Sequence, residues 1–501
     1  MAVGTFSATI NETISAFSEA MRAPRNADFI LHRFKCLGAN AALMYVDGMT
    51  DKNAINIAVL LPCVGAEAGE LAPEERANYI MENVIKAAGA RIETDFDAAL
   101  GAMLSGRTLL VRDGCAGAIA CDAPGFDRRA VGQPVSESVI VGPHEGFNEN
   151  LRTNITLLRR IIRSPRLVTE QMQVGREVKT NVALMYMDGI ARKSTVDRFR
   201  ERVSSLGIDA ITDIGQIEQL IEDSPSSLVP QQLLTERPDR TASCLLDGQV
   251  ALLCDGSPSA LVAPVTLFHL MHASDDTNMR WKYGTFIRLV RVLGMLLSML
   301  LPGLYLALVL FHPEIIPLGL LTSIMETHAK VPFSTAVEVL ILVLSFDLIQ
   351  ESAIRVPGAL GSTLGIVGAL ILGEAAVSAD IISPILVIIV ALTGLGNYAM
   401  PDYQLSVGVR ILRLLFIFAG AVAGLFGLSL CAFYGAVYLC SLTSLGEPFL
   451  APVAPYRPHN PDIVLRLPLF MQKHRLFTAQ PDRTQRSKGD MRGWKRQDDD
   501  D

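Results

Sequence analysis

The 501-residue chain lacks the closely spaced cysteine pairs that a tetrahedral zinc site requires. Its eight cysteines, Cys36, Cys63, Cys115, Cys121, Cys244, Cys254, Cys431 and Cys440, lie far apart, a usage that suits a reducing compartment. It also lacks clustered histidines, a glycine-rich phosphate loop and a nucleophile elbow, so no metal, no cofactor and no enzymatic activity are expected. Charge is scarce: Asp, Glu, Lys and Arg make up 19% of residues. The formal net charge of -7 excludes a general nucleic-acid binder, which needs a basic face to displace counterions from phosphates. Finally, the first residues, MAVGTFSATINETISAFSEAMRAPR, show no basic start followed by an apolar core. No secretory signal is therefore read there, and the amino-terminal region is expected to be cytoplasmic.

What the chain does have is apolar sequence, 50% of all residues, gathered into five long blocks between Phe286 and Leu442. A membrane-crossing helix needs ~20 apolar residues, so the pattern predicts a helical transmembrane domain behind a soluble α/β region.

The soluble region reads as a duplication. NAALMYVDGM at Asn40–Met49 and NVALMYMDGI at Asn181–Ile190 share seven of ten residues at an offset of 141. GRTLLVRDG ending at Gly114 and GQVALLCDG ending at Gly256 keep that offset to within one residue. Two matches in order predict two copies of one small α/β unit, with helices expected over Thr195–Leu206 and Ile214–Ile221 of the second. Asp47, Asp113, Asp188 and Asp255 each precede glycine, which marks tight turns rather than a catalytic set, because such turns need glycine's positive φ. Between the copies, a helix bearing Arg152, Arg159, Arg160 and Arg163 reads either as an anion site or as a solvated bridge between subdomains. The expected organisation is a first α/β subdomain over residues 1–145, then the linking helix and second subdomain over 146–279. A membrane domain over 280–445 and a cytoplasmic tail over 446–501, disordered from about Phe477, complete it.

Block one, Phe286–Phe311, has Arg280 and Lys282 before it and Arg288 and Arg291 at its start, cations that set that start on the cytoplasmic side. The stretch from His312 to Lys330 fits the far side, lying in the interface. Block two, Ala336–Ile354, carries Glu338, Asp347 and Glu351. At 100° per residue, Asp347, Glu351 and Arg355 form one ladder and Glu338 points the opposite way. A carboxylate at the bilayer centre costs ~2.5–3.5 kcal/mol on insertion scales, so these acids either face a water-filled path or sit solvated at the helix ends. Block three, Ala359–Val377, holds Gly361, Gly365, Gly368 and Gly373, which suit close helix packing, a pore lining or a hinge. Block four is Ile381–Met400, with Glu374 and Asp380 at the turn before it, where an oligomer would place a ring of acids. Block five, Ile411–Leu442, is too long for one untilted span. Either it bends back near Gly420, Gly424 and Gly427, or another block is re-entrant.

QVGREVKT at Gln173–Thr180, TERPDR at Thr235–Arg240, TFIRLVR at Thr285–Arg291, FHPEIIP at Phe311–Pro317 and GSTLGIVGALILGEAAV at Gly361–Val377 carry a family signature. With them the chain resembles the A subunits of GerA-type spore germinant receptors, a family that includes stage V sporulation AF-type proteins. The resemblance implies a multi-pass subunit of the spore inner membrane that forms a homo-oligomeric, pentameric channel for monovalent cations. Its implied partners are membrane lipids, a transporter-like B subunit that binds the nutrient and a lipoprotein C subunit, with no nucleic acid. Glu338, Asp347, Glu351, Glu374, Gly361, Gly365 and Gly368 are the candidates for the ion path or gate. Competing readings are a secondary transporter and a non-conducting scaffold. Transporters usually duplicate their membrane half, whereas here the soluble half is duplicated.

Overall fold

The structure is a computed structural model that describes residues 6, 9–66, 73–87, 89–115, 117–123, 132–134, 137–355, 373–457, 462–463, 465–476, 479–487 and 491. Its amino-terminal half is two copies of one unit. The first runs α1 (Ile10–Ala20), β1 (Phe29–Cys36), β2 (Ala39–Val46), α2 (Lys52–Gly65, with a π turn), α3 (Pro73–Tyr79), β3 (Arg91–Glu93), α4 (Phe96–Leu104), β4 (Arg107–Arg112) and β5 (Ala118–Asp122). The second runs α5 (Leu151–Ile161), β6 (Leu167–Val174), β7 (Thr180–Met187), α6 (Lys193–Ser204), α7 (Ile214–Ile221), β8 (Leu233–Thr235), α8 (Pro238–Leu246), β9 (Val250–Cys254) and β10 (Ala260–Ala263). The sheet orders match, β1-β2-β4-β5-β3 and β6-β7-β9-β10-β8, and every pairing is antiparallel. Register matches too: Ala41 opposes Arg112 in one sheet and Val182 opposes Cys254 in the other.

The apolar run of β7 is continuous because both its faces are covered. Ala183, Met185 and Met187 pack under α5 and α8, while Val182, Leu184 and Tyr186 pack under α6 and α7. The first unit repeats this with Ala42, Met44 and Val46 on one face and Ala41 and Leu43 on the other. Gly48, Gly114, Gly189 and Gly256 all have positive φ, so the Asp-Gly pairs are turns. Their aspartates also work structurally: Asp113 accepts from the Ile10 amide at 3.4 Å and Asp255 from the Leu151 amide at 3.1 Å, tying down the start of α1 and of α5.

That equivalence corrects the reading of the basic helix. Leu151–Ile161 is the first element of the second unit, not a solvated bridge, and Leu151, Asn154, Ile155, Leu157, Leu158 and Arg159 are buried. Nor do its arginines form an anion site. Arg159, 1% exposed, reaches Asp28 at 2.9 Å, Asn26 at 2.9 Å and Thr169 at 3.1 Å; Arg152 pairs with Asp47 and Arg160 with Glu145. The bonds of Arg159 to Asp28 and Asn26 and of Arg152 to Asp47, with Arg22 to Asp188 at 2.9 Å, join the units.

The carboxy-terminal half contains α9 (Trp281–Phe311), α10 (Leu318–His328), α11 (Thr335–Arg355), α12 (Pro384–Tyr398) and α13 (Tyr403–Ser441). Among the described residues, α9 and α13 are long and apolar enough to cross a membrane by length and composition. α13 is, in geometry, two helices: Gly424 has φ 59° and ψ -142°, a conformation open to glycine alone, and the chain reverses there. Beyond the reversal, Gly427 lies against the Ala419 carbonyl, and Leu428 and Phe416 pack on the same stretch of α9. The two feet of this hairpin meet the second unit, through Gly408 against the Leu228 carbonyl and Thr443 with Asp223. Gly303 of α9 and Gly420 of α13 bring backbone onto backbone, an approach that any side chain would block. The chain then crosses a short ribbon, Thr443–Ser444 with Glu447–Pro448, and lays its tail over the second unit. Part of the segment expected to be disordered is packed there: Asp482 donates to Ile190 at 2.9 Å and Arg486 to Lys473 at 2.9 Å.

Candidate functional site: buried polar groups among the membrane helices

Burying a polar group in an apolar bundle is unfavourable unless it is partnered, so enclosed acids mark places where function or folding demands them. Two such places stand out. At the first, Glu338 of α11 has no exposed surface. One carboxylate oxygen accepts from the Ser383 amide at the start of α12, where the helix dipole favours negative charge. The other lies 3.4 Å from His328 Nδ1 of α10 and makes no hydrogen bond. His328 Nε2 in turn meets Tyr305 Oη of α9 at 3.1 Å. Side chains or backbone from α9, α10, α11 and the start of α12 thus converge on one carboxylate.

At the second, Asp347 of α11 binds Arg413 of α13, with both carboxylate oxygens within 2.7 Å of one guanidinium nitrogen. Arg413 is 2% exposed, its Nε has no partner, and neighbouring Gln350 keeps a buried, unpartnered Oε1. Asp347 is thus held from another helix, by Arg413 of α13. An ion pair in low dielectric gains enough attraction to offset desolvation only with good geometry, and losing one partner costs about 3–5 kcal/mol.

Of the other candidates, Glu351 is half-buried one turn beyond Asp347 and Glu374 is exposed. The structure brings Glu338 and Asp347 to separate clusters. Gly361, Gly365 and Gly368 lie outside the described residues. Sequence reasoning missed Tyr305, His328 and Arg413. Arg413 had a signal, since it sits one turn inside an apolar run, but it reads equally as a flanking cation.

The arginines at the start of block one also have inward partners. Arg288 and Arg291 converge on Asp276, which is fully buried, at 3.2 and 2.6 Å, and Arg288 reaches Asp462 of the tail at 2.6 Å. The TERPDR arginines close the same junction: Arg240 binds the His269 and His272 carbonyls at 3.0 and 2.8 Å, and Arg237 binds Ser274 at 3.1 Å. Burial beside Arg240 and Arg288 lowers His269 to about 4 and holds His272 well below its ordinary value, so both imidazoles are neutral near pH 7.

A duplicated α/β unit fused to a helical half with enclosed ion pairs, two of whose helices are long and apolar enough to cross a membrane, fits the class of membrane-associated proteins. The chain matches the Bacillus/Clostridium GerA spore germination protein family over residues 15–477, and it belongs to that family. It is 36% identical to spore germination protein KA of Bacillus subtilis (strain 168), with 87% of this chain and 80% of that protein covered. Spore germination protein GerLA of Bacillus cereus is 35% identical, covering 87% of this chain and 88% of that protein. A solved structure, the N-terminal domain of the A subunit of the Bacillus megaterium spore germinant receptor GerK3, aligns at a TM-score of 0.42 and 27% identity. It covers 53% of this chain and 98% of that one.

Proposed function

We propose that this chain is the membrane subunit of a spore nutrient germinant receptor, acting as an oligomeric, gated channel for monovalent cations early in germination. It resides in the spore inner membrane with both soluble units and the tail on the cytoplasmic side. Its partners are further copies of itself, in a pentamer, together with B and C receptor subunits and membrane lipids. The observation that carries the reading is Glu338: a carboxylate enclosed by converging helices, with one oxygen facing His328 and free of hydrogen bonds, is what a path for dehydrating cations uses. The Asp347–Arg413 pair sits between α11 and α13, where a shift in helix packing would make or break it. Glu351, Glu374, Gly361, Gly365 and Gly368 complete the candidate path.

The test is reconstitution of the purified chain, alone and with B and C partners, and measurement of single-channel currents under potassium and sodium gradients. Discrete cation currents that Glu338→Gln reduces in correctly inserted protein support the reading. Well-assembled protein that passes no current under any partner condition would overturn it, leaving transport or a scaffold.

A further inference from the structure

One segment of the second unit, α7 and the loop that follows it to Val229, grips both feet of the membrane hairpin. At the first foot, Glu218 of α7 accepts from Gln404 Nε2 at 2.9 Å. Four residues further along α13, Gly408 lies against the Leu228 carbonyl so closely that a Cβ would collide with it. At the second foot, Asp223 accepts from Thr443 Oγ1 and from the Gly446 amide at 2.8 Å.

The two ends of the segment differ in charge balance. Asp223 is answered by Arg202 at 2.5 Å. Among the described residues Glu218 is not answered by a cation: it is 3% exposed, its Oε1 is enclosed without a hydrogen bond, and the charges that face it are Asp213 just before α7, Glu222 just after it and Asp402 from the foot of α13. Asp402 is itself committed to capping α13 through the Leu405 amide at 2.8 Å.

We propose that residues 214–229 form a proton-controlled clasp on the α13 hairpin, closed while Glu218 is protonated and loosened when it ionises. The clasp follows from the contacts alone; its service as a regulator of ion flow rests on the channel reading above. Desolvation and the three neighbouring carboxylates raise Glu218 to about 7, against an ordinary 4.5. The closed clasp therefore binds a proton that the open one releases. Closure is strongest below about pH 4.5, weakens by up to about tenfold per unit as pH rises from there to about 7, and keeps the full penalty above.

Hydrogen exchange on the full chain in lipid nanodiscs tests this between pH 5.5 and 7.5, with intrinsic exchange rates divided out. The expected result is that amides of residues 214–229 and 403–409 lose about tenfold or more in protection over that interval. Those of β7 hold steady. In Glu218→Gln the clasp amides should hold steady as well. Wild-type protection that does not change, or an identical profile in Glu218→Gln, overturns the proposal. If β7 shows that Glu218→Gln has not folded, Gln404→Leu decides. Removing the donor that favours the ionised carboxyl must move the wild-type midpoint to higher pH, and an unmoved midpoint also overturns the clasp. Ion currents play no part in this readout, so its failure is separable from failure of the channel reading.

Discussion

The two α/β units share one element order and one strand order, yet their corresponding outer helices carry opposite chemistry. On α6 of the second unit, Arg198 holds the Leu445 carbonyl and Arg202 holds Asp223, so the face carries the end of the membrane hairpin. The corresponding helix of the first unit, α2, instead shows Ile57 and Leu61 on its outer side, both about two-thirds exposed. At the sequence offset of 141 residues Glu218, gripping Gln404, falls on Ala77. Arg159, which stitches the units together, falls on Ser18. Duplication supplied two scaffolds of one topology, and exchanges on the surface of the second made it the anchor of the helical half.

The largest way to break this asymmetry is Arg159→Leu, which strands the buried Asp28 carboxylate. Denaturant unfolding of the full chain should show a loss of about 3–5 kcal/mol, against under about 0.5 kcal/mol for Ser18→Ala. In the helical half, Arg413→Leu should cost a similar amount, and adding Asp347→Leu should recover most of it, as thermal unfolding in detergent would register. Next comes Ala77→Glu, which gives the first unit the second unit's carboxylate without a hairpin to receive it. Stability should fall by about 1–3 kcal/mol at pH 8 and by less at pH 5, where the acid is neutral. Gly424→Ala should remove about 1–3 kcal/mol from the hairpin that the second unit grips, visible as a lowered Tm with helix content kept. The smallest effect belongs to the exposed face: Ile57→Ser and Leu61→Ser together should shift stability by under about 0.5 kcal/mol in the isolated subunit.

Much of the fold was legible because its signals are local. Asp-Gly turns, apolar runs and the 141-residue offset marked strand positions and the duplication, whereas the excessive length of block five left open a reversal at one of its glycines or a re-entrant block elsewhere, and Gly424 makes the reversal. The equivalence of α1 and α5 was hidden. INETISAFSEA and LRTNITLLRRI share a burial pattern and little identity, so arginines on the second read as a solvated face although the fold buries one of them. The candidate site was legible only in part. Glu338 and Asp347 announce themselves as acids in an apolar block, whereas Tyr305, His328 and Arg413 become meaningful only when separate helices bring them to those acids. That information is tertiary, and no spacing encodes it.

The return of the tail sets an order of assembly. Thr443, Arg466, Arg475 and Asp482, which bond to Asp223, Thr277, Leu246 and Ile190, are translated after every apolar block. The first unit is made first, and its buried Asp28 gains its partner when Arg159 of the second follows. The second unit cannot close its own surface until the bundle has been delivered, so biogenesis ends with the tail locking a platform whose membrane cargo is already in place.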